Sequence, residues 1–411
     1  MTNANAHTGR APLQGVRVAD FTWLWAGAYA TGLLSLLGAE VIKIESMSRV
    51  DQTRTMTFTL GKAFEGVENS SVFNGINLNK LSVKLNLKRP EAVELAKRIV
   101  ESSDVVAENM RPGAMDSLGL GYDILRGIKP DIIMLSSSAY GSEGPFRTYG
   151  GYAPNFACAS GLANLTGYAD GAPNPMTGET DLMSAISGAF AVVAALNHRQ
   201  QTGRGQFIDL SSVESQAILA GDSLMEYLLN CRVQRRQGNH DKIMAPHNCY
   251  RCKGEDKWVS IVVSTPAEWK ALCDVMGNPA WTREDRFADA YRRWNNQDEL
   301  DALLTTWTLD YNHREVMDLL QRAGVAAMPS FSSEEIVKDA HFQRRGSVAT
   351  VDHPVMGQQV VFALPWRFSK APPPVRKASP LMGESNSYVF GDLLGLSGDE
   401  IQRLVDEGVI F

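Results

Sequence analysis

Residues 16–45 read VRVADFTWLWAGAYATGLLSLLGAEVIKIE, and this stretch decides the fold. Residues 16–21 form a short run with β-branched members, residues 27–37 are small or apolar, and residues 40–45 alternate between polar and apolar side chains. The outer two segments predict strands, and the middle one predicts a helix that Gly38 ends. A strand, a helix and a strand in this order favour parallel pairing through a right-handed crossover.

The same alternation continues along the chain. Pro90 at a first helical position, with Lys97 and Arg98 near the other end, is typical of a helix. The further predicted strands are residues 81–87, 104–108, 132–137 and 206–210, and the further predicted helices are residues 90–101, 182–200 and 214–229. This pattern predicts an α/β fold with a doubly wound, mostly parallel sheet.

Length and a change of composition predict more than one domain. A chain of 411 residues is longer than one ordinary domain of about 100–200 residues. Near Asn230 the sequence becomes polar and basic, and the C-terminal part is rich in proline before a last helix at residues 398–407. The predicted parts are a large domain at 1–225, a smaller α+β domain at 226–330, and a C-terminal segment at 331–411.

Charge and cysteine content argue against several classes of protein. The net charge is −6 and no basic cluster stands out, so nucleic acid is not an expected partner. The five cysteines are too scattered for a disulfide framework, which favours a reducing compartment. Residues 1–15 contain no apolar signal core, and the longest apolar stretch, residues 185–196, is shorter than the roughly 20 residues that cross a bilayer. We therefore expect a cytoplasmic protein with no membrane partner.

The familiar metal and cofactor motifs are missing from the sequence. His247, Cys249 and Cys252 lie close together, but no second Cys/His pair stands at zinc-finger spacing. The segment after the first predicted strand offers only Gly27 and Gly32, so it lacks the Gly-x-Gly-x-x-Gly fingerprint of NAD-binding proteins. Phosphate-binding Walker A and serine-hydrolase motifs are also absent. We predict no metal site and no permanently bound cofactor.

Asp181 is the acidic residue that the pattern singles out. It stands between a loop-rich stretch, residues 141–178, and the predicted helix 182–200. Aspartate here is a favoured N-cap, because its carboxylate accepts hydrogen bonds from free backbone N–H groups. The same helix start would stabilise the anion and keep it ionised at pH 7, as a carboxylate nucleophile requires. The pattern alone leaves both interpretations open.

Ordered sequence blocks along nearly the whole chain resemble class III CoA-transferases, the family of formyl-CoA transferase and carnitine CoA-transferase. Each block is weak alone, but their joint order is specific. The blocks are LQGVRVADF (13–21), AG (26–27), LGAEVIKIE (37–45), NK (79–80), LNLK (85–88), ENMRPG (108–113), YG (140–141), GP (144–145), SGL (160–162), TG (166–167), DGAP (170–173), Asp181, TGRGQ (202–206) and LMGE (381–384).

The resemblance implies an architecture and a reaction. It implies a large Rossmann-like domain built from both chain ends, a small domain, and two chains interlocked as a dimer. It implies that Asp181 attacks an acyl-CoA thioester and that a carboxylic acid accepts the CoA, with Tyr140 orienting the acyl group. By position, CoA is expected to contact Trp25, Ala26, Arg54 (at a phosphate), Leu85, Asn86, Leu87, Lys88, Asn109, Met110, Arg111 and Ser138.

The sequence also departs from formyl-CoA transferase. That enzyme has glutamine where Trp25 stands and arginines where Ser46 and Ser117 stand. Trp23 and Trp25 instead favour a roomier apolar wall that suits a larger acid. Succinyl-CoA, which many relatives use, is then the expected donor, and an aromatic or dicarboxylic acid is the expected acceptor.

Two other functions remain open from the sequence. The related 2-methylacyl-CoA racemases pair the equivalent aspartate with a histidine just after the Gly-Pro loop, because proton removal and return need two acid/base groups. Tyr152 stands about where that histidine would be, and His198 is the nearest histidine. A non-catalytic subunit of a heteromeric transferase is the other alternative, and Asp181 argues against it.

Overall fold

The chain forms two compact units in the computed structural model, which describes residues 9–56, 66–176 and 178–411. The first unit draws on the described residues within 1–163, 175–232 and 340–411, and the second on Asn164–Asn174 and Val233–Asp339. Both end regions of the chain therefore contribute to the first unit, and most of the second comes from one continuous segment.

The strands of both units are short, from four to six residues. In chain order they are β1 (Arg17–Asp20), β2 (Glu40–Glu45), β3 (Leu81–Lys84), β4 (Val105–Glu108), β5 (Ile133–Ser138), β6 (Phe207–Ser211), β7 (His247–Arg251), β8 (Trp258–Val262), β9 (Ala326–Pro329), β10 (Val348–His353) and β11 (Gly357–Phe362).

The helices range from single turns to a helix of 25 residues. In chain order they are α1 (Ala26–Leu36), α2 (Gln52–Thr55), α3 (Ser71–Ile76), α4 (Pro90–Glu101), α5 (Ala114–Ser117), α6 (Tyr122–Ile128), α7 (Ala153–Ala159), α8 (Leu162–Leu165), α9 (Gly178–Thr202), α10 (Ser212–Ala217), α11 (Gly221–Asn230), α12 (Pro266–Val275), α13 (Ala290–Asn295), α14 (Gln297–Thr308), α15 (His313–Arg322), α16 (Ser333–Lys338), α17 (Ala340–Arg345) and α18 (Gly398–Asp406). Short 3₁₀ segments lie at Ile218–Ala220, Ala280–Arg283 and Asp285–Phe287, and a π-helical segment lies at Ser387–Leu393.

A six-stranded parallel sheet forms the centre of the first unit, in the order β3-β2-β1-β4-β5-β6. Val18 of β1 pairs with Val41 of β2 on one side and with Val105 of β4 on the other. The chain adds β2 and β3 on one side of β1 and then returns to add β4 on the other side. Ligands of open α/β sheets bind at the carboxyl ends of the strands where this reversal occurs. The predicted doubly wound α/β fold is confirmed.

Apolar layers cover both faces of this sheet. On one face Ile42 and Val106 are fully buried against a cluster that includes residues of α4, α6 and α18. On the other face Val41 and Val105 are buried against residues of α1, α9 and the β10–β11 hairpin. Burial on both faces explains why the parallel strands are so apolar in sequence.

Helix α9 lies very close to α1 and the sheet because Gly188 has no side chain. A Cβ atom at Gly188 would lie 3.2 Å from Leu135 and 3.6 Å from Ala30. By length and composition α9 is apolar enough to cross a membrane, and it is longer than the apolar stretch 185–196 of the sequence analysis. Its buried face, which includes Ala189, packs in the core of the first unit.

The C-terminal segment returns to the sheet edge formed by β3. The N–H group of Asn86 donates to the carbonyl of Val409 over 2.9 Å. The side-chain oxygen of Asn79 accepts from the N–H groups of Arg376 and Lys377 over 2.8 and 3.0 Å. These bonds join residues about 300 positions apart, so the large domain needs both chain ends.

The second unit is a small α+β structure. Its antiparallel sheet has the order β7-β8-β9, and Val259 and Ile261 of β8 lie in its core. Buried residues of α12, α14 and α15, among them Leu272, Leu304 and Leu320, complete this core. The unit therefore has its own hydrophobic cluster, as a domain requires.

The second unit does not have the bounds, residues 226–330, that the change of composition predicted for the small domain. It begins at Val233 and ends at Asp339, and it also takes in Asn164–Asn174. Hydrogen bonds hold this short segment there, because the Gly238 N–H donates to the Gly167 carbonyl over 2.9 Å and Arg236 donates to the Gly171 carbonyl over 3.0 Å. Pairing between such distant residues leaves no trace in local composition.

Two predicted elements are wrong in extent. The predicted helix 214–229 is split into α10, a 3₁₀ turn and α11, and Gly221, a weak helix former, lies at the break. The predicted strand 81–87 ends at Lys84, because the chain then turns and Asn86 bonds to the C-terminal segment instead of to β2.

Candidate active site

A cavity of about 700 Å³ lies in the first unit, at the carboxyl ends of β1, β4, β5 and β6. It sits at the place where the strand order reverses, so the sheet topology itself positions it. Its lining residues are Trp23, Leu24, Trp25, Ala26, Arg49, Gln52, Met56, Asn109, Met110, Arg111, Pro112, Ala114, Ser137, Ser138, Ala139, Tyr140, Arg147, Tyr149, Gly150, Gly151, Tyr152, Ala153, Pro154, Phe156, Gly178, Asp181 and Ser212.

The first wall of the cavity is the loop between β1 and α1. Asn109 holds this loop at both backbone groups of Trp23, since its Oδ1 accepts from the Trp23 N–H over 2.9 Å and its Nδ2 donates to the Trp23 carbonyl over 2.7 Å. Leu24 has a left-handed backbone with φ of 58°, which is costly for a residue with a branched side chain. Its N–H donates to Asp51 over 3.2 Å. The loop is therefore held in one strained conformation.

A network of fully buried charges lies beneath this loop. Lys80 pairs with Asp20 over 2.9 Å, and Lys43 pairs with Asp51 over 3.1 Å. Lys43 also donates to the Thr22 carbonyl over 2.6 Å. Burial opposes ionisation of Asp20, but the nearby lysines and its hydrogen bonds outweigh burial and hold the pKa of Asp20 below its usual value. Each charge has a partner, so the network serves as a rigid base for the loop.

The opposite wall carries Asp181, in the first turns of α9. The adjacent Thr180 is buried and anchors this helix end: its hydroxyl donates to the Ala153 carbonyl over 3.2 Å, and its carbonyl accepts from the Gln216 side chain over 3.2 Å. Helix α9 begins at Gly178, so Asp181 lies inside the helix. The predicted N-cap role of Asp181 is therefore wrong.

Asp181 is a carboxylate without a partner. Within the described part of the chain it has no hydrogen bond or ion pair, and desolvation by burial raises its pKa from 3.8 to about 6. The expected stabilisation of the anion by the helix start is thus outweighed by loss of water. At pH 7 a carboxyl with this pKa is still roughly nine-tenths ionised. A poorly solvated, unpaired carboxylate is well suited to attack an electrophile.

An aromatic cluster borders the same cavity as Asp181. The ring of Tyr140 meets Phe146 and Tyr149 edge-on, with centroids 5.8 and 6.3 Å apart, and Phe146 stacks on Tyr149 at 5.1 Å. Gly141 and Gly144 have φ near 80°, which lets the loop turn sharply between these rings. Tyr140, Tyr149 and other aromatic side chains give the cavity an amphipathic wall.

Ser138 provides a free hydroxyl at the same site. Its Oγ is buried and has no hydrogen-bond partner within the described residues, although a buried hydroxyl without a partner is costly. Because Ser138 lines the cavity at the end of β5, a bound ligand can satisfy it. Histidine is absent from the described lining.

Several residues of the predicted site come together in this cavity. Those that line it are Asp181, Tyr140, Trp25, Ala26, Asn109, Met110, Arg111 and Ser138. They come from the carboxyl ends of β1, β4 and β5 and from the start of α9, which only the fold brings together.

Arg54 does not line the cavity, which corrects its predicted contact with a CoA phosphate. Its guanidinium is buried, donates to both oxygens of Glu45 over 2.8 Å, and pairs with Glu68 over 2.7 Å. It also stacks on the ring of Phe73 at 3.6 Å. With its donors occupied inside the protein, Arg54 supports β2 and is not free to bind a ligand.

Residues 85–88 also lie outside the lining of the cavity. Leu85 is fully buried in the core, Leu87 packs against the same cluster, and Lys88 is exposed. Asn86 is bonded to the C-terminal segment. The predicted contact between CoA and the Leu85 side chain does not fit this burial.

Among the lining residues that were not predicted are Arg49, Arg147 and Tyr149. Arg49 lies in the connection between β2 and α2, and the other two lie in the loop after Gly144. The length and glycine content of that loop were the available signals. Neither signal indicates which side chains point into a cavity.

The described residues contain no group of three or more His, Cys, Asp or Glu side chains placed to hold a metal. What the cavity offers is a half-buried carboxylate without a partner among the described residues, a free hydroxyl, an aromatic wall and arginines. These groups fit covalent acyl chemistry on an anionic substrate.

Comparison with known proteins agrees with this chemistry. The model of CoA-transferase family III matches residues 13–386. The chain is 31% identical over 401 residues to the succinyl-CoA–D-citramalate CoA-transferase of Chloroflexus aurantiacus, covering 97% of this chain and 98% of that protein. It is 32% identical over 401 residues to the alpha subunit of the succinyl-CoA–L-malate CoA-transferase of the same species, covering 97% and 92%. A CaiB/BaiF family protein from Brucella suis has a similar crystal structure, with a TM-score of 0.85 at 28% identity over 93% of this chain and 100% of that one.

Proposed function

This chain belongs to CoA-transferase family III and is an acyl-CoA:carboxylate CoA-transferase, and we propose that Asp181 is the nucleophile that carries the transfer. The observation that supports this role most strongly is the isolation of the carboxylate. It lies in the cavity at the place where the strand order reverses and has no partner among the described residues. Burial raises its pKa to about 6.

The reaction proceeds through two covalent intermediates. The Asp181 carboxylate attacks the thioester carbonyl of the donor, which forms a mixed anhydride and expels the CoA thiolate. The thiolate then attacks the aspartyl carbonyl, which releases the donor acid and leaves an aspartyl-CoA thioester. An acceptor carboxylate attacks this thioester, and the same steps in reverse yield the new acyl-CoA and free Asp181. Covalent catalysis divides one difficult exchange into easier steps.

The rest of the cavity has two tasks in this scheme. Backbone N–H groups of the glycine-rich loop 141–151 stabilise the oxyanion at the reacting carbonyl, with Tyr140 orienting the acyl group. The aromatic cluster of Tyr140, Phe146 and Tyr149 keeps water from the anhydride and the thioester, both of which hydrolyse easily. The same desolvation raises the pKa of Asp181.

CoA binds along the loops at the strand ends. Trp25, Ala26, Asn109 and Met110 line the cavity next to Arg111, whose positive charge suits a phosphate. Ser138 donates its free hydroxyl to the bound thioester. No permanently bound cofactor takes part, because CoA enters and leaves as substrate.

Succinyl-CoA is the proposed donor. Two relatives with about a third of their residues identical are named for succinyl-CoA, with the dicarboxylic acids citramalate and malate as partners. The cavity of about 700 Å³ has room for the thioester arm and a short dicarboxylic acyl chain.

The proposed assembly is an interlocked dimer. Helix α11 has no buried residue, and Leu228 and Leu229 are 62% and 73% exposed. On α9 Phe190 is 75% exposed. Apolar side chains exposed in such numbers need a cover, and a second copy of the chain provides one. A paralogous subunit is the other possible cover, since one relative is an alpha subunit; light scattering of the purified chain distinguishes these two assemblies.

Racemisation is the competing reaction, and the cavity argues against it. A racemase needs a second acid/base group opposite the aspartate, whereas the described lining contains Tyr152 near the expected place and no histidine.

An exchange assay tests the proposed function. The protein is incubated with succinyl-CoA or acetyl-CoA and a panel of carboxylic acids, and new acyl-CoA is measured by mass spectrometry. We expect CoA transfer to at least one dicarboxylic or aromatic acid. Deuterium uptake from D₂O at the α-carbon of a 2-methylacyl-CoA, without transfer to any acid, would instead show a racemase. Absence of both reactions would favour the non-catalytic subunit.

A further inference from the structure

The cavity contains more positive than negative charge. Its described lining includes three arginines, Arg49, Arg111 and Arg147, and a single carboxylate, Asp181. None of the three arginines forms an ion pair with a described residue, while Arg54 and Arg17 elsewhere in the first unit are paired with glutamates. Three arginines that line one cavity without an ion-pair partner favour binding of an anion with several charged groups.

The three arginines belong to two different walls. Arg111 reaches the loop that carries Arg147, because a Cβ atom at Gly150 would lie 2.9 Å from its Nη2. Arg49 belongs to the other wall, where its guanidinium lies 3.9 Å from the centroid of the Trp23 ring. Arg111 and Arg147 are therefore associated with the loop after Gly144, and Arg49 with the loop between β1 and α1.

Arg49 is the arginine with a fixed surface beneath it. Trp23 is held at both its N–H and its carbonyl by Asn109, and Leu24 is held by Asp51. A guanidinium that stacks on an indole presents its N–H groups at the edge of the stacked plane, where two of them can donate in parallel to one carboxylate. The indole beside it supplies apolar surface for methylene groups.

A short dicarboxylic acyl chain has both of these features. Its methylene groups need apolar contact, and its remote carboxylate needs a forked donor. The pyrophosphate of CoA also adjoins apolar carbons, those of its pantoyl unit, so the affinity for free CoA must be measured to distinguish the two anions. Arg111 and Arg147 remain for the phosphates, and their charges match an anion with more than one group.

We propose that Arg49, stacked on Trp23, is the specificity-determining residue that binds the remote carboxylate of a dicarboxylic acyl group. This inference rests on the proposed CoA transfer through Asp181 and adds the feature by which the enzyme selects its acyl group. Donors with a terminal carboxylate react in preference to donors of the same chain length without one.

The test uses the first half of the reaction, which needs no acceptor. The full-length protein in excess is mixed with succinyl-CoA or butyryl-CoA, and free succinate or butyrate is measured by rapid quench. Arg49→Met is compared with the wild type and with Arg147→Met, a matched loss of one cavity arginine. The dissociation constant of free CoA is measured by calorimetry for all three proteins.

The expected result is a change of preference that only Arg49→Met shows. Loss of a charge-assisted bidentate contact lowers the half-reaction efficiency with succinyl-CoA by roughly 10- to 100-fold. The efficiency with butyryl-CoA and the affinity for CoA stay within about 3-fold, the size of ordinary surface effects. Arg49→Lys keeps the charge but loses the forked pair of donors, so its efficiency with succinyl-CoA lies between those of the wild type and Arg49→Met. Arg147→Met lowers the efficiency with both donors equally.

Two results would overturn the inference. An equal loss with both donors in Arg49→Met, together with weaker CoA binding, would make Arg49 a phosphate contact. An unchanged preference with unchanged CoA binding would remove it from substrate recognition. In both cases release of the donor acid by the wild type upholds the proposed function, whereas a wild type that releases neither acid contradicts the proposed function itself.

Discussion

Two regions of the first unit treat charged side chains in opposite ways. Beneath the β1–α1 loop, Lys80 and Asp20 are both fully buried and paired over 2.9 Å. In the cavity on the other side of the loop, Asp181 has no partner among the described residues. Burial opposes the ionisation of both aspartates, but the lysines and hydrogen bonds around Asp20 outweigh it and lower the pKa of Asp20, whereas burial alone raises the pKa of Asp181 to about 6.

The difference separates an ionised carboxylate that stabilises the fold from one that destabilises it. Asp20 is stabilised by Lys80, Lys43 and hydrogen bonds that exceed its desolvation. Asp181 is desolvated without compensation, so its anion is high in free energy and gains from forming a bond with an acyl group. Burial alone does not mark a functional acid; burial without a partner does.

Asp181→Asn is expected to have the largest effect on activity. Removal of the nucleophile lowers the single-turnover release of donor acid by about 10⁴-fold or more, as for other covalent enzymes. Rapid quench with succinyl-CoA measures this loss. A variant that keeps more than a tenth of the wild-type rate while folded would show that another group attacks the thioester.

Lys80→Met breaks the paired region. It leaves the Asp20 carboxylate buried without its cation, which lowers the free energy of unfolding by about 3–5 kcal/mol. Lys97→Met is the control, because Lys97 pairs with Glu94 at the surface and such a pair contributes about 0.5 kcal/mol or less. Urea denaturation of both variants gives the comparison. Equal losses would mean that the buried network does not support the loop.

Asp181→Asn is also expected to stabilise the protein. The folded-state pKa of about 6 exceeds the usual 3.8, so ionised Asp181 opposes folding at any pH above 6. The destabilisation by ionised Asp181 shrinks as the pH falls from 6 to 3.8 and is absent below that range. We expect a gain of about 2 kcal/mol at pH 8, after allowance for partial exposure, and no gain at pH 3.5.

The matched variant for this measurement is Asp20→Asn, which changes the same group in the paired region. Because the pKa of Asp20 is lowered by folding, its ionised form supports the fold, and its loss is destabilising at pH 8. Urea denaturation that shows a loss of stability in both variants would contradict the contrast between the two carboxylates.

The pH dependence of the half-reaction has the smallest expected effect. Only ionised Asp181 attacks, so the rate rises about tenfold between pH 5 and pH 7 and is level above pH 7. Burial raises the pKa of Glu108 to about 7, so this residue titrates in the same range. Glu108→Gln is therefore the control, and a profile that shifts in this variant would assign the titration to Glu108.

Local sequence was enough to predict the sheet but not the pairing of its charges. Strand β2 and helix α4 have the bounds that apolar alternation and Pro90 predicted. Arg54 was predicted to be a phosphate contact, but its partners Glu45 and Glu68 are nine and fourteen positions away and meet it only in the folded chain. The position of an arginine in the sequence does not reveal whether its guanidinium is already paired with a carboxylate of the protein.

The site was predictable only where the sheet itself fixes the position of a residue. Asn109 and Arg111 follow β4 and Ser138 ends β5, and a parallel sheet gathers strand ends on one edge. Arg49 also comes shortly after a strand, β2, but the sequence does not show that its side chain enters the cavity. The pKa of Asp181 depends on desolvation by residues from several loops, so the helix start gave the wrong direction.

The central claim is that Asp181 forms the covalent intermediate. The most direct measurement is to mix the protein with succinyl-CoA, reduce it with borohydride, and identify the modified peptide by mass spectrometry. The account predicts reduction of the Asp181 side chain to an alcohol, dependent on succinyl-CoA and absent from Asp181→Asn. CoA transfer that proceeds with an unmodified Asp181, or with the modification at another residue, would contradict it.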